Sequence, residues 1–265
     1  MHPLKQIGMA ERIGNRLARS FDWRLVRWMR LGDSQQVWYL KRLFAMQDTD
    51  LVVDVGGNQG QYASLIRSRV GYCGPMITVE PNPAMASVLQ QRFRGDRNWA
   101  LASCALGDAD GTATLNVMRG HEMSSLLPPS AAATDRLEQL NSVQRTVQVP
   151  VQTLARLLQE HPLAAKAQRI YLKLDVQGFE LQVLRGAKPA LPRISALQAE
   201  ASVIPLYDGM PGYLELMGEI EQMGFRLSFL PAHNYSQVPD MIDFDCHFVS
   251  ASWLAERGYL RQSLG

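Results

Sequence analysis

The stretch that most constrains the fold of this chain is residues 51–60, LVVDVGGNQG, where a short apolar run passes into a glycine-rich turn. Residues 51–55 have the composition of a buried strand, with Asp54 near its end. Glycines in such a turn let backbone N–H groups approach a ligand that a Cβ would exclude. The turn contains Gly56, Gly57 and Gly60. The pattern predicts a strand, a tight turn and a helix that begins near Gln59.

An acid also ends the next apolar run. Residues 76–79 are followed by Glu80, twenty residues after Gly60. A βαβ unit of that length brings a carboxylate beside a ribose. The glycine pattern reads D-x-G-G-N-x-G instead of G-x-G-x-x-G. With an acid before the turn, it suits the cationic amino-acid end of S-adenosylmethionine (SAM) better than an anionic dinucleotide.

Composition bounds the class of protein. With 265 residues, 46% of them hydrophobic, and a mean hydropathy of -0.13, the chain is expected to be a soluble globular protein with a sizeable core. No apolar run approaches the roughly 20 residues that cross a bilayer, and no secretory signal is evident, so we expect a cytoplasmic protein. Three scattered cysteines argue against a disulfide framework or a zinc site.

Charge is uneven along the chain. Residues 1–45 carry nine basic and three acidic residues, a net charge of +6, so the remainder of this +2 chain is mildly acidic. An acidic body without a basic, aromatic strip is a poor nucleic-acid binder, so no nucleic-acid partner is expected.

The first 45 residues are predicted to be a helical extension, and residues 46–265 the catalytic domain. Apolar residues recur there at three- to four-residue spacing, with arginines between them. One interpretation packs these helices on an edge of the sheet or on a second subunit, which would make a homo-oligomer. The other is a basic, aromatic surface over residues 10–45 that rests on the inner face of an anionic membrane, as a lipid-linked substrate would favour.

From residue 51, strand and helix patterns alternate. Strands are predicted at 51–55, 76–80, 99–106, 112–118, 147–151, 170–174, 194–199, 225–230 and 243–249, and helices at 59–69, 83–93, 154–158, 178–185 and 213–223. Residues 107–111 are predicted to be a hairpin turn into the strand at 112–118, and residues 119–145 an irregular insertion over the site. Repeated βα units and a final hairpin predict a mostly parallel α/β sheet with one antiparallel strand inserted at the end.

Four predicted strands end in acids: Asp54, Glu80, Asp175 and Glu200. Ligands of open α/β sheets lie outside the carboxyl ends of the strands, so these four side chains are expected to share one crevice. Asp54 is expected to serve the methionine ammonium, directly or by orienting the turn. Glu80 is expected to accept hydrogen bonds from the ribose hydroxyls. Asn82, Ala105 and Leu106 are expected to border the adenine.

The segments VDVGGNQG, VEPNP, ALGDADG, SSL and YLKLDVQGFELQVLRGA resemble the FkbM family of SAM-dependent methyltransferases. The likeness runs in order from about residue 51 to 250, and includes Glu200, Tyr207 and the segment FDCHFV. It implies a class I methyltransferase (Rossmann-like) fold with a mostly parallel seven-stranded sheet. It also implies methyl transfer to oxygen, on a hydroxyl of a sugar, glycolipid or polyketide-type product.

The chain departs from the family pattern at two positions. Gly57 stands where the family often has alanine, which we expect to be harmless. Gln177 stands where it often has glutamate, so no catalytic carboxylate is expected there. The predicted cofactor-binding residues are Asp54, Gly56, Gly57, Asn58, Gly60, Tyr62, Glu80, Pro81, Asn82, Ala105, Leu106 and Asp175.

Methyl transfer to an alcohol needs alignment and a base that accepts the hydroxyl proton. The predicted catalytic residues are Asp175, Glu200 and His121. Asp175 is expected to face the methyl group and the acceptor, unless it is a structural or cofactor contact. Glu200 could instead brace a loop. His121 lies in the irregular insertion and could reach the site.

Four further residues are weighed at this stage. His233 and His247 are weaker candidates for the base, and His247 has the pattern of a core histidine. Lys173 is expected to pair with an acid, and Glu180 to brace the start of a helix. A divalent cation would need a third oxygen ligand beside Asp175 and Glu200, which no spacing indicates.

Two other functions stay open at the level of sequence. One is an NAD-dependent oxidoreductase, which the glycine pattern and the final hairpin disfavour. The other is a catalytically silent SAM-binding partner subunit, which would be marked by a lost strand-end acid. The identity of the methyl acceptor does not follow from the sequence.

Overall fold

The computed structural model describes residues 31–130, 140–231 and 241–259. The helical pattern of residues 10–30 and the candidate base His233 lie outside the described residues.

The described ranges contain ten strands in two sheets. They are β1 (Leu51–Val55), β2 (Met76–Val79), β3 (Trp99–Ala102), β4 (Ala105–Gly107), β5 (Gly111–Met118), β6 (Val143–Thr153), β7 (Ile170–Leu174), β8 (Ile194–Ser202), β9 (Phe225–Phe229) and β10 (Asp243–Ser250). The larger sheet has the order β3-β2-β1-β7-β8-β10-β9. Strand β10 runs antiparallel to both of its neighbours, and the other pairings are parallel. The predicted seven-stranded, mostly parallel sheet with a late antiparallel hairpin is confirmed.

Helices connect the parallel strands. They are α1 (Leu31–Gln47), α2 (Gln61–Leu65), α3 (Pro83–Arg92), α4 (Leu154–Glu160), α5 (Glu180–Gly186), α6 (Tyr213–Gln222) and α7 (Ala251–Glu256). A π turn at Ile66–Val70 continues α2, so the two together cover most of the predicted helix. Helix α3 begins as predicted, because the Asn82 side chain accepts the N–H of Ala84 and Pro83 occupies the first turn.

The second sheet corrects one prediction. Residues 99–106 do not form a single strand: β3 belongs to the large sheet, whereas β4 pairs in parallel with β6 in a three-stranded sheet of order β4-β6-β5. The hairpin predicted at residues 107–111 is also wrong, since β5 takes β6 as its antiparallel partner. The turn residues there reverse the chain, but the pairing is decided by a strand that comes more than 30 residues later in the sequence.

The core lies on both faces of the large sheet. Neighbouring residues of β1 point to opposite faces, so Val53 packs in one hydrophobic cluster and Val52 in the other. Helix α1 contributes Leu40, fully buried, to the second cluster. Its Gln47 side chain donates to the backbone oxygen of Ser195 at 3.0 Å. Helix α1 thus crosses the predicted boundary after residue 45, and the division into two domains stays a prediction.

Helices of the described ranges are all too short or too polar to span a membrane.

Candidate active site

The glycine-rich turn packs tightly against two neighbouring strands. The N–H groups of Gly56 and Gly57 both donate to the backbone oxygen of Val79 at 3.0 Å, so they bind the sheet and not a ligand. A Cβ on Gly56, whose φ is +81°, would lie 1.8 Å from the backbone oxygen of Asp175. A Cβ on Gly57 would lie 2.1 Å from Cγ2 of Thr78. Glycine is needed here because strand ends approach the turn.

Glu80 is fixed at both carboxylate oxygens. The backbone N–H of Asn58 donates to Oε2 at 2.7 Å, and that of Asn82 donates to Oε1 at 2.8 Å. Burial raises the pKa of Glu80, and the N–H groups of Asn82 and Asn58 act against that rise. Each carboxylate oxygen keeps a further lone pair. Glu80 can therefore accept two ligand hydroxyl groups without changing its orientation.

Asn58 adds an acceptor beside Glu80. Its backbone lies in the left-handed region, with φ +45°, and its side-chain Oδ1 is buried without a hydrogen-bond partner. A buried amide oxygen left without a partner costs free energy, so an external donor at this point would be stabilising.

A buried ammonium separates Asp54 from the cavity. Lys173 Nζ lies 3.4 Å from Asp54 Oδ1 and 3.2 Å from Asp175 Oδ2, and it donates to the backbone oxygen of Gly56 at 3.2 Å. Burial alone would lower the pKa of Lys173, but the carboxylates of Asp175 and Asp54 raise it above its usual value. The predicted pairing of Lys173 with an acid is observed, and it involves two acids.

Gln177 joins the two acids at the ends of β7 and β8. Its amide nitrogen donates to Asp175 Oδ1 at 2.9 Å and to Glu200 Oε2 at 2.8 Å. The amide oxygen lies 2.9 Å from the hydroxyl of Tyr207, which also reaches the backbone oxygen of Met123 at 2.6 Å. The amide is thus bonded on both sides.

A second acid, Asp245, lies beside Glu200 on the neighbouring strand. The two residues are Cα partners in the β8–β10 pairing. Burial, together with the charges of Asp175, Asp243 and Asp245, raises the pKa of Glu200 well above its usual value. Burial likewise raises the pKa of Asp245 to about 6, although Gln198 Nε2 donates to its Oδ1 at 2.9 Å. At neutral pH the cluster therefore retains protons more readily than isolated carboxylates would.

His121 faces the cavity from the opposite side, on a 3-10 turn at His121–Met123. Its Nε2 lies 2.8 Å from Gln59 Nε2, and its Nδ1 is buried without a partner. Since the Gln59 amide nitrogen can only donate, His121 Nε2 accepts and Nδ1 carries the proton in the neutral ring. In that tautomer His121 offers the cavity a donor and not a base.

Tyrosines close the cavity floor. The Tyr62 hydroxyl donates to Gln198 Oε1 at 2.8 Å, and Lys173 Nζ lies 5.4 Å from the centre of the Tyr62 ring. Behind them the Tyr171 hydroxyl lies 3.0 Å from Nδ1 of His247, which is fully buried. Burial lowers the pKa of His247 to about 3. His247 is thus a neutral core histidine and not a candidate base.

These side chains surround a cavity of about 440 Å³ at the carboxyl ends of the central strands. Its volume lies within the roughly 300–1,000 Å³ of small-molecule sites. The predicted site residues that line it are Gly56, Gly57, Asn58, Tyr62, Glu80, Pro81, Ala105, Leu106, His121, Asp175 and Glu200. Three others do not: Asp54 lies under Lys173, Gly60 packs against Phe93 and Leu89, and Asn82 caps α3.

Three lining residues were missed by sequence reasoning: Asp245, Gln198 and Gln36. The alternation of Asp243, Asp245 and His247 along β10 puts these polar side chains on one face of the strand, and this signal could have identified Asp245. Gln36 lies on α1, with 8% of its surface exposed. Nothing in the local pattern of α1 distinguishes it from the residues beside it.

Acids predominate around the cavity. Glu80, Glu122, Asp175, Glu200 and Asp245 line it, together with the ammonium of Lys173. In the described part of the chain, no three acids, histidines or cysteines are grouped so that they could hold a metal ion. Glu180 does not reach the cavity lining; its Oε1 accepts the N–H groups of Val176 at 3.0 Å and Gly178 at 3.4 Å, and so braces the start of α5 as predicted.

Comparison with known families agrees with this geometry. Residues 54–227 match the methyltransferase FkbM domain family. The match covers the glycine-rich turn, Glu80, the β7 end with Gln177, and Glu200. The chain belongs to the FkbM methyltransferase family, and its sheet order is that of the class I methyltransferase fold.

Individual relatives are distant. The chain is 28% identical over 153 residues to "Methyltransferase 1" of Beauveria bassiana, a match that covers 52% of this chain and 59% of the relative. Among solved structures, it resembles the magnesium protoporphyrin IX methyltransferase of Synechocystis PCC 6803 with bound SAM (10% identity, 92% and 96% of the two chains, TM-score 0.45). It also resembles fibrillarin of Aeropyrum pernix with natively bound SAM (12% identity, 76% and 66%, TM-score 0.43).

Proposed function

We propose that this protein is a SAM-dependent O-methyltransferase that methylates a hydroxyl of a sugar, glycolipid or polyketide-type natural product. The observation that carries the proposal is the acid-lined cavity at the strand ends, with Glu80 fixed by two backbone N–H groups. Membership of the methyltransferase family supports the reaction class.

The residues of the cavity suit SAM. Its ribose presents two neighbouring hydroxyls, which match the two fixed oxygens of Glu80. Its ammonium and sulfonium are cationic, and an acid-lined cavity favours cations. The unpartnered Oδ1 of Asn58 could accept one ammonium proton. When bound, SAM supplies an electrophilic methyl group, and S-adenosylhomocysteine remains after transfer.

Glu200 is the best candidate for the base that takes the acceptor proton. Both oxygens of Asp175 are occupied, by Lys173 and by Gln177, whereas Glu200 makes a hydrogen bond to Gln177 through one oxygen. Burial and neighbouring acids raise the pKa of Glu200, which suits a base that must take up a proton during the reaction. Asp175 then orients the acceptor, and His121 donates to it through Nδ1.

The alternatives fit less well. The pyrophosphate of NAD would bring negative charge into a cavity lined mainly by acids. A silent partner subunit would retain the cofactor cavity and lack a base, whereas Glu200 and Asp175 are both present.

The reaction is tested with methyl-labelled SAM and a panel of neutral glycosides, glycolipids and macrolide alcohols. Mass spectrometry should find an O-methylated product. Glu200→Gln should lower turnover by at least about 100-fold, the scale of general base catalysis, with unchanged affinity for S-adenosylhomocysteine. A Glu200→Gln variant as active as the wild type would exclude Glu200 as the base.

A further inference from the structure

We infer that Gln177 is a positioning residue for the base: its neutral amide takes, between Asp175 and Glu200, the place that a divalent cation fills in carboxylate-rich sites. The inference deepens the proposed function, because it rests on Glu200 as the base.

The amide holds both acids through its two N–H groups. One donates to Asp175 Oδ1 at 2.9 Å and the other to Glu200 Oε2 at 2.8 Å. Both carboxylates thus receive a donor from a group that carries no charge and cannot be lost by titration. A cation would neutralise the pair, whereas the amide only orients it.

The amide cannot turn over without loss. Its oxygen lies 2.9 Å from the hydroxyl of Tyr207, and Tyr207 is only 1% exposed. A turn of 180° would point the amide oxygen at two carboxylates. Tyr207 therefore fixes which end of Gln177 faces the acids.

The backbone of Gln177 is also held in an unusual conformation. Its φ is +55°, in the left-handed region, which a residue with a Cβ rarely adopts. Ser125, 1% exposed, donates from Oγ to the backbone oxygen of Gln177 at 2.7 Å. Strain of this kind persists where the surroundings determine it, and it is concentrated at functional sites. Here it directs the side chain between two strand ends.

The charged groups around Glu200 come from three elements. They are Asp175 at the end of β7, Asp243 and Asp245 on β10, and Glu180 on α5. All of them oppose ionisation of Glu200, and the Gln177 amide is the donor that favours it. Removing this donor should raise the pKa of Glu200 by about one pH unit, the effect of one hydrogen bond to a charged group.

The first test measures this shift without an acceptor. Protein labelled with ¹³C at the glutamate carboxyl carbons is titrated by NMR, and the Glu200 resonance is assigned by its absence in Glu200→Gln. In Gln177→Met, of similar length but without an amide, the midpoint should move up by about one pH unit. An unchanged midpoint would overturn the inference. Affinity for S-adenosylhomocysteine and the unfolding midpoint of Gln177→Met show that the variant folds.

The second test replaces the amide by a carboxylate of the same shape. Gln177→Glu brings a third oxygen ligand to Asp175 and Glu200, which suits Mn²⁺. Calorimetric titration with MnCl₂ should detect one site in Gln177→Glu and none in the wild type. If the wild type binds Mn²⁺, or Gln177→Glu does not, the amide does not stand in a cation's place. Loss of SAM binding by the wild type would instead refute the proposed function and leave this result readable.

Discussion

Lys173 Nζ lies 3.4 Å from Asp54 Oδ1, and the two side chains are 6% and 0% exposed. The pair forms the floor beneath the glycine-rich turn, since Lys173 also donates to the backbone oxygen of Gly56 at 3.2 Å. Neither oxygen of Asp54 has a hydrogen bond apart from this ion pair. The acid before the glycine-rich turn therefore supports the site from below and does not contact the cavity.

Replacing Lys173 by methionine should lower the free energy of unfolding by about 3 kcal/mol, because it leaves Asp54 as an uncompensated buried charge. Urea unfolding at pH 7 measures the change. The double variant Lys173→Met/Asp54→Asn removes the charge as well and should recover more than half of the loss. A single variant within about 1 kcal/mol of the wild type would contradict the pairing, since breaking a buried pair costs more than that.

Gly57→Ala should not be harmless in this chain, contrary to the expectation from the family pattern. The new Cβ would lie 2.1 Å from Cγ2 of Thr78, and overpacking of this kind costs about 1–3 kcal/mol. Thr78→Ser removes that methyl group and keeps the hydroxyl, which accepts the indole N–H of Trp99 at 2.9 Å.

The double variant Gly57→Ala/Thr78→Ser should therefore be more stable than the two separate losses predict. Urea unfolding of the wild type, both single variants and the double variant gives the coupling free energy. Strictly additive losses would show that the alanine methyl is accommodated in some other way.

Glu180 predicts a dependence of stability on pH. Burial raises its pKa from 4.5 to about 7. The folded state therefore binds a proton that the unfolded state has released, and the stability that Glu180 contributes is complete below pH 4.5 and lost as the pH rises through 7. Between pH 5 and pH 8 that loss is about 2.5 kcal/mol.

Glu180→Gln should remove this term and keep an oxygen that accepts the N–H groups of Val176 and Gly178. The stability of the variant relative to the wild type should thus increase by about 2 kcal/mol from pH 5 to pH 8. Urea unfolding at the two pH values measures the difference. Parallel pH dependences in the two proteins would contradict the shifted pKa.

Local patterns predicted the parallel strands and the acids that end them. Glu80 follows its strand directly, so a run of apolar residues and one acid were sufficient to assign it. Asp245 was missed, because its position beside Glu200 depends on pairing between β10 and β8, more than 40 residues apart. The bridging role of Gln177 was also out of reach, since it depends on a positive φ and on Tyr207, 30 residues later.

Asp54 illustrates the opposite error. Its place next to the glycine-rich turn suggested contact with the ligand, but a side chain near the end of a strand can point into the sheet layer as readily as into the crevice. The partner that decides this is Lys173, which belongs to the neighbouring strand β7. Likewise, Gln36 reaches the cavity from α1, outside the residues that match the family.

The most direct test of the account is calorimetric titration of the full chain and of Glu80→Gln with S-adenosylhomocysteine, SAM and NAD. The wild type should bind the first two and not NAD. Glu80→Gln should bind them at least about 30-fold more weakly, because its amide nitrogen would meet the N–H of Asn58 or Asn82 where an acceptor is needed. Binding of NAD instead, or equal affinity of the two proteins for S-adenosylhomocysteine, would contradict the assignment of this cavity to SAM.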